Sequence, residues 1–418
     1  MTAPPPLKDK QGIAVSHFPK DVMMTTTLPF PVYDADNHFY EPEDAMFRHL
    51  PKKWHKDFRF VQVDGRKRLA IRGQISDYIP NPTFERVAAP GTHVKYYKAE
   101  NQEGLTMREM TGKPIAPPES WRTGGERLAV LDGHNVYAAL MFPTLFSVIE
   151  KWMSYDHEFL HDGLHALNQW TSEEWGFARE NRLFGVPVVS LADMDRAIAE
   201  TDWLIKEGAR TICIRPSPVP GYRGGRSMGL KDFDPFWARI QEAKIFVSIH
   251  ASNSDYDHLI EMWTGGTEWL PFESDPFVNC LRIIERAISD TIAAIICGGV
   301  FDRFPDVRIV SVENGAKWVI PLIEQLKHVY GQMPQKFKTD PVEQFHRNVF
   351  VTPFVEDDFA ELGRHMQVNR ILFGSDYPHP EGTEHPLDFL QELTSYSMAD
   401  KEKIMSTNLK GLLEGKRD

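Results

Sequence analysis

From about residue 130 onward, short apolar runs rich in valine and isoleucine alternate with longer stretches in which apolar residues recur at helical spacing. This alternation is typical of βα units arranged around a parallel sheet. The candidate strands are Val32 to Asp36, Val136 to Phe142, Val186 to Leu191, Thr211 to Arg215, Ile245 to His250, Val307 to Glu313, Val349 to Thr352 and Arg370 to Ser375. Eight parallel strands predict an α/β protein with a (β/α)₈ TIM barrel, and an open doubly wound sheet is the alternative.

Apolar stripes predict the helices between these strands. After Asp193, the side chains of Met194, Ile198 and Leu204 share one face of a helix,. A second stripe follows Asp234. An aspartate directly before an apolar stripe is a typical helix start, so both stretches are predicted to be helical.

Two long stretches break this rhythm, one after the first candidate strand and one after the fifth. Residues 41–123 are rich in charge, aromatic side chains and proline, and residues 251–277 hold Trp263 and Trp269. Because the loops after the strands form the active-site face of a barrel, we predict that both stretches are caps over a substrate pocket. Residues 31–418 then form one domain, and residues 1–30 form a flexible N-terminal arm.

Composition and charge exclude several classes of protein. The 418 residues are 42% hydrophobic, which is enough for a sizeable core, and they carry a formal charge of −12,. This acidic balance, without a basic patch interleaved with aromatic residues, argues against a nucleic-acid partner. Three widely spaced cysteines favour a reduced, cytoplasmic protein,. Every apolar stretch is far shorter than the ~20 residues of a membrane span, so we expect a soluble protein with no membrane partner.

Residues of metal-ligand type stand at the ends of four candidate strands. Residues two apart in a strand point to the same side, so Asp36 and His38 can aim at one ion. His250 ends the fifth strand, Glu313 ends the sixth, and Asp376 follows the eighth. Because these ends face the mouth of a barrel and buried unpaired charge is costly, we predict a bound cation. The alternative is that each residue caps a helix or forms a structural ion pair.

These residues stand in motifs that resemble the amidohydrolase superfamily. The closest branch is amidohydrolase-2, which contains aminocarboxymuconate-semialdehyde decarboxylase and the resorcylate decarboxylases. The motifs are Asp-x-His at residues 36–38, a histidine at 250, Gly-Ser-Asp-Tyr-Pro-His at residues 374–379 and the segment Ile404 to Asn408. The resemblance implies a divalent metal with an open position for water or substrate, held by Asp36, His38, His250 and Asp376.

The chain departs from the family pattern in three places. Its first motif is Asp-x-His, where the family usually has His-x-His. Glu313 takes the place of a family histidine that serves as general acid/base, and Arg215 stands where a bridging lysine or glutamate would support a two-zinc centre. If Glu313 joins the four ligands, two histidines and three carboxylates suit zinc first, with manganese or iron as alternatives.

We therefore expect a metal-dependent enzyme that hydrolyses or decarboxylates a small aromatic or cyclic carboxylic acid. Asp376 or Glu313 is the candidate base for hydrolysis. His379 is a candidate acid/base or additional ligand, or else a loop histidine packed under Tyr377. Arg215 is a candidate clamp for a substrate carboxylate, or else part of an ion pair at the barrel mouth.

Two other functions stay open on the sequence alone. Glu313 and Glu41 could recruit a second ion and make a non-haem di-iron oxygenase, that is, a monooxygenase on the same scaffold. Alternatively, the barrel binds a ligand without catalysing a reaction. The resemblance also implies a homodimer.

Overall fold

A computed structural model describes residues 28–76, 78–265 and 275–417 of the protein. All but the last three residues of the predicted N-terminal arm lie outside these ranges, and so does Trp269 of the second predicted cap. Within the described ranges, no helix combines the length and the apolar character needed to cross a lipid bilayer.

Ten strands are assigned within the described residues. They are β1 Tyr33–Phe39, β2 Phe58–Val63, β3 Arg66–Ile71, β4 Gln74–Ser76, β5 Ala138–Pro143, β6 Leu183–Gly185, β7 Thr211–Ile214, β8 Phe246–His250, β9 Ile309–Val312 and β10 Val349–Val351. Strands β2, β3 and β4 form an antiparallel sheet, and the other seven strands pair in parallel.

The seven parallel strands and one further extended segment surround the barrel axis. The regular ladders join β1, β5 and β6 in one sheet and β7, β8, β9 and β10 in another. Isolated parallel bridges connect these two sheets on both sides: Val188 pairs with Cys213, Val351 with Ile371, and Asn37 with Tyr377. Residues 371–377 therefore occupy the eighth strand position, between β10 and β1. This arrangement follows the predicted (β/α)₈ order.

The assigned strands differ from the predicted bounds by one to three residues in most cases, and the third and eighth strands differ most. The third barrel strand is assigned at Leu183–Gly185 rather than at residues 186–191. Pro187 has no amide hydrogen, so a continuous ladder stops there, although its carbonyl still accepts from Cys213 N at 2.7 Å,. The predicted eighth strand starts one residue later, because Arg370 ends a 3₁₀ turn, and it pairs through single hydrogen bonds rather than a ladder.

Seventeen α-helices are assigned within the described residues. They are α1 Asp44–Phe47, α2 Val94–Tyr97, α3 Met107–Thr111, α4 Gly124–Gly133, α5 Phe146–Met153, α6 His157–Glu174, α7 Met194–Lys206, α8 Asp234–Ala243, α9 Asp257–Thr264, α10 Pro276–Leu281, α11 Ile283–Cys297, α12 Val300–Arg303, α13 Val319–Gln332, α14 Pro341–Asn348, α15 Phe359–His365, α16 Met398–Glu402 and α17 Asn408–Leu413. A π-helical turn, Lys403–Thr407, precedes α17.

The two helices predicted from apolar stripes are present. Asp193 caps α7, because its side chain accepts a hydrogen bond from Arg196 N, and Leu204 is buried on the inner face of that helix,. Helix α8 buries Phe236 and Trp237 against the barrel.

The first insertion folds over the carboxyl ends of the strands. It contains the β2–β3–β4 sheet and the short helices α1, α2 and α3. Its backbone is tied to the barrel where His93 N donates to Pro380 O at 2.8 Å. Within the second insertion, α9 carries Trp263, which is 73% exposed and contacts Phe277 edge to face.

Candidate metal centre

All seven residues of β1 are buried, although four of them are polar or charged. Such groups are costly in a barrel interior unless they find partners. Asp34 finds its partners in the extended segment: its carboxylate accepts from Ser375 N at 3.0 Å and from Ser375 Oγ at 2.5 Å. It also accepts from Asp36 N and from the Asn37 side chain, each at 3.0 Å. Asp34 thus fixes β1 against the segment that carries Asp376.

Five side chains predicted as ligands lie side by side on the inner face of the barrel, with His38 and Glu313 at the centre. His38 Nε2 lies 3.2 Å from Asp36 Oδ1, 3.2 Å from Glu313 Oε2 and 3.4 Å from Asp376 Oδ1. His250 Nε2 lies 2.9 Å from Glu313 Oε2 and 3.2 Å from His38 Nε2. The ligand atoms of Asp36, His38, His250 and Glu313 all lie within 4.8 Å of one another.

The tertiary structure orients each of these groups inward. His250 Nδ1 lies 2.7 Å from Ala251 O, so this nitrogen donates to the carbonyl and leaves Nε2 free as a ligand atom. Glu313 and Asp376 have left-handed backbones, with φ of 55° and 53°. Residues other than glycine rarely adopt this conformation, and when they do they cluster at functional sites.

The charges of the cluster favour a bound cation. Burial opposes charge on His250, yet Glu313 and Asp36 raise its pKa to about 10. Burial also opposes charge on Glu313, but His250 and His38 hold the pKa of this carboxylate well below its usual range. The carboxylates therefore draw protons onto the histidines. A divalent cation at the same point satisfies the carboxylates and needs neutral histidines, so it replaces those protons.

The donor set fits a divalent metal ion. Asp36 Oδ1, Glu313 Oε2 and Asp376 Oδ1 are buried, and no hydrogen-bond donor of the described residues satisfies them. Imidazole nitrogen with carboxylate oxygen suits zinc, manganese or iron. Cysteine takes no part, because Cys280 and Cys297 are exposed and Cys213 is buried outside the cluster.

His379 extends this cluster. Its Nδ1 lies 2.7 Å from Asp376 Oδ1, and its Nε2 lies 3.0 Å from Thr144 Oγ1. Because the Thr144 hydroxyl donates to Phe39 O at 2.8 Å, the hydroxyl oxygen accepts from His379 Nε2. The ring packs against His38, with the centroids 4.0 Å apart, and not under Tyr377. His379 is therefore placed for the acid/base role or the ligand role.

Asp376 Oδ1 and His379 Nδ1 lie 2.7 Å apart, and the pKa values of the two groups are displaced in opposite directions. Burial raises the pKa of Asp376 well above its usual range, and the neighbouring Glu313 and Asp36 raise it further. Burial and the nearby His38 lower the pKa of His379 well below its usual range. Because Nε2 donates to Thr144, Nδ1 of the neutral ring is left as an acceptor on the side of Asp376 Oδ1.

A cavity of about 940 Å³ opens above the cluster. Barrel residues and the first cap line it together; the cap supplies, among others, Ile79, Phe84 and Met107. Most of its surface is apolar. A cavity of this size with a mostly apolar wall suits an apolar or aromatic ligand.

The structure does not bring Arg215 or Glu41 to this cavity. Arg215 is buried behind His250, where its Nη1 donates to Asn253 O at 3.1 Å, and it lines a separate small cavity. Glu41 accepts hydrogen bonds from Leu145 N and Phe146 N, each near 3 Å, at the start of α5. Neither side chain contacts the cluster. The exposed Trp263 does not line the cavity either.

Four residues that sequence reasoning overlooked also shape the site. They are Asp34, Thr144, Arg127 and Gly374. Arg127 is fully buried and donates to the carbonyl of His38, and a Cβ at Gly374 would lie 2.7 Å from the Cβ of Asp36. Asp34 leaves a signal in the sequence, since it precedes Asp36 by two positions in an apolar strand, and Gly374 begins the Gly-Ser-Asp-Tyr-Pro-His motif. Thr144 and Arg127 act through contacts distant in sequence.

Comparison with known proteins gives a consistent picture. The sequence matches the family Amidohydro_2, described as amidohydrolase, over residues 34–408. A curated relative, 2-amino-3-carboxymuconate-6-semialdehyde decarboxylase of Dictyostelium discoideum, is 23% identical over 207 residues, which are 47% of this chain and 54% of the relative. The chain thus matches about half the length of that relative.

Solved structures share the fold. An amidohydrolase from Mycobacterium avium subsp. paratuberculosis K-10 superposes with a TM-score of 0.88 at 38% identity, over 93% of this chain and 100% of that one. A dihydroxybenzoic acid decarboxylase from Polaromonas sp. JS666, solved with manganese and the inhibitor 2-nitroresorcinol, superposes with a TM-score of 0.58 at 16% identity, over 92% and 97% of the two chains.

Proposed function

Because the chain belongs to the amidohydrolase family, we propose that it is a divalent-metal-dependent decarboxylase of aromatic carboxylic acids. The observation that carries this proposal is the close contact between Asp376 and His379 beside the cluster, with Oδ1 and Nδ1 2.7 Å apart. We propose that this pair holds one proton. Decarboxylation of an aromatic acid needs such a proton for the ring carbon that loses the carboxyl group. We propose Asp36, His38, His250, Glu313 and Asp376 as the ligands of one ion.

The residues of the chain have distinct roles in this reaction. When bound, the cation supplies Lewis-acid stabilisation of the negative charge that develops on the substrate. The apolar cavity wall excludes water. The Asp376–His379 pair gives its proton to the ring carbon as the bond to the carboxyl carbon breaks. The electron pair of that bond forms the new C–H bond, carbon dioxide leaves, and the pair takes a proton from solvent.

Two observations favour decarboxylation over the other activities considered. Four of the proposed ligands, Asp36, His38, His250 and Glu313, form one group, and Asp376 joins it through a second group that shares His38 and Glu313. Arg215 lies outside both groups and does not supply the bridging ligand of a two-metal hydrolytic centre. Glu41, the further carboxylate that a di-iron oxygenase would use, is occupied by backbone amides. The decarboxylase names of two of the similar proteins support the same choice.

The test is a manganese-loaded protein incubated in D₂O with 2-hydroxybenzoates and 2,6-dihydroxybenzoates. We expect carbon dioxide release, and deuterium at the ring carbon that carried the carboxyl group. Product phenols incubated alone should exchange hydrogen for deuterium at the same carbon, because proton transfer is reversible. The Asp376→Asn variant should do neither. If wild type hydrolyses lactones or esters of such acids but releases no carbon dioxide, the proposal is wrong.

A further inference from the structure

The cavity extends well beyond the space that one ring over the cluster needs. Its volume of about 940 Å³ is near the upper end of the roughly 300–1,000 Å³ typical of ligand pockets. The cluster residues stand on the barrel side of this cavity. The first cap supplies other lining residues, which include Arg66, Arg68, Arg86 and Arg108. A ligand that fills the cavity is therefore longer than its reacting group.

The cap places arginine side chains at this cavity, which Glu356 and Glu381 also line. Arg66 and Arg68 lie two apart on β3 and so point to the same side of the sheet, and both line the cavity,. Lys67, between them, points to the other side and pairs with Glu43 and with Glu85. In the described part of the chain, neither cavity-facing arginine pairs with a carboxylate. Because side chains alternate between the two faces of β3, the paired Lys67 lies on one face, and Arg66 and Arg68, which have no carboxylate partner among the described residues, lie on the other.

Two of the arginines are held in place by the cap itself. Arg68 Nη1 donates to Pro80 O at 2.7 Å, and Arg86 Nη2 donates to Pro114 O. One nitrogen of each guanidinium is bound to the backbone, and the other nitrogens are left for a ligand. Guanidinium groups bind carboxylate and phosphate oxygens in pairs of parallel hydrogen bonds.

We propose that the cap arginines form a second anion-binding subsite, and that the substrate is an elongated dianion. Its reacting carboxylate lies at the metal cluster, its apolar body lies along the cavity, and its far end carries an oxyanion, either a carboxylate or a phosphate, bound by Arg66, Arg68, Arg86 and Arg108. The assignment of the reacting end rests on the proposed function. The anion-binding subsite itself is inferred from the arrangement of the cap arginines and does not depend on the proposed function.

The subsite is tested with probes that lack the hydroxyl next to the carboxylate and so cannot react. Biphenyl-4-carboxylate and biphenyl-4-yl phosphate are compared with the uncharged biphenyl-4-carboxamide by calorimetry, on manganese-loaded and on chelator-treated protein. We expect at least one anion to bind about tenfold more tightly than the amide, because charge-assisted bidentate hydrogen bonds are strong. The stronger of the two anions identifies the oxyanion.

Matched variants locate the binding. The double variant Arg66→Gln, Arg68→Gln should bind anion and amide equally, whereas Lys67→Gln, which removes a charge from the same strand on its other side, should keep the preference. The subsite is overturned if the double arginine variant still binds an anion more tightly than the amide. It is also overturned if wild type binds neither anion more tightly than the amide. Because these probes do not react, the binding test does not depend on decarboxylase activity. A protein without decarboxylase activity can still show the anion preference, and a protein without the anion preference can still be a decarboxylase.

Discussion

His379 Nδ1 lies 2.7 Å from Asp376 Oδ1, and Nε2 of the same ring lies 3.0 Å from the hydroxyl of Thr144. The first contact brings together the two groups of the proposed proton donor beside the ligand cluster, and the second decides which ring nitrogen faces Asp376. Thr144, in the loop between β5 and α5, thus sets the orientation of the His379 ring toward Asp376.

The Thr144→Val variant should therefore lower kcat while KM changes little. Valine removes the acceptor for His379 Nε2, so the ring is no longer held with Nδ1 toward Asp376. General acid catalysis contributes about 10²–10⁴-fold to a rate, and we expect loss of at least tenfold. The Thr144→Ser variant keeps the hydroxyl and should restore most of kcat. Equal loss in the valine and serine variants would contradict this positioning role.

Metal content should depend on Glu313. The Glu313→Gln variant removes the anionic oxygen that lies 2.9 Å from His250 Nε2. Removal of a residue that only hydrogen-bonds to a metal ligand weakens metal binding about 10–100-fold, so removal of a ligand should weaken it by more. The measurement is manganese and zinc per chain by elemental analysis after dialysis. Glu356→Gln, a cavity carboxylate outside the cluster, should keep about one ion per chain.

Close approach of two backbones makes Gly374 sensitive to a single methyl group. A Cβ at this position would lie 2.7 Å from the Cβ of Asp36, which forces β1 and the extended segment apart. We expect Gly374→Ala to lower the free energy of unfolding by about 1–3 kcal/mol and to weaken metal binding. Gly331→Ala, on α13 with open space around it, should leave both unchanged or slightly raise stability. Denaturant unfolding and metal titration measure the two effects.

Asp34 should matter for both stability and metal binding. Its carboxylate joins Asp36 N to Ser375, and burial raises its pKa to about 6. Asp34→Ala leaves several buried donors without an acceptor, at a cost of about 1–3 kcal/mol each. We expect a lower thermal midpoint and weaker metal binding together. A variant that unfolds earlier but binds manganese with wild-type affinity would show that Asp34 supports the barrel without positioning the ligands.

His161 should make the protein acid-sensitive. Its Nε2 accepts a hydrogen bond from Asp193 N at 3.1 Å, and burial, with Arg196 nearby, lowers its pKa from 6.5 to about 4. Between these values the unfolded chain binds more protons than the folded chain, so stability rises with pH and is lost as pH falls. The shift corresponds to about 3 kcal/mol between pH 6.5 and pH 4.

The measurement is the free energy of unfolding against pH, in wild type and in His161→Gln. Glutamine can keep the hydrogen bond from Asp193 N but does not titrate, so its profile should be flatter over this range. His328→Gln, which replaces an exposed histidine on α13, should follow wild type. Parallel profiles for wild type and His161→Gln would show that other groups cause the acid sensitivity.

The barrel and its ligand-bearing strand ends could be predicted because their signal is local. Apolar runs of strand length and the two-residue spacing of Asp36 and His38 depend on neighbours in sequence. The predicted third strand pairs with both of its neighbours but forms no regular ladder. This has a local cause as well, since Pro187 interrupts the ladder that its apolar neighbours favour. Arg215 was predicted to clamp a substrate carboxylate, a role that depends on the path of the loop after the strand. The structure places this side chain behind His250, outside the large cavity.

The sequence by itself determined the order of βα units, the positions of the two insertions and the residue types that stand at each strand end. Those features follow from periodicity, which is a property of contiguous residues. Only the tertiary structure decided which of these side chains meet, that Glu41 binds amides instead of joining the cluster, and that Thr144 orients His379. These relations depend on distances between atoms that lie up to hundreds of positions apart in the chain, and packing of the whole barrel sets those distances.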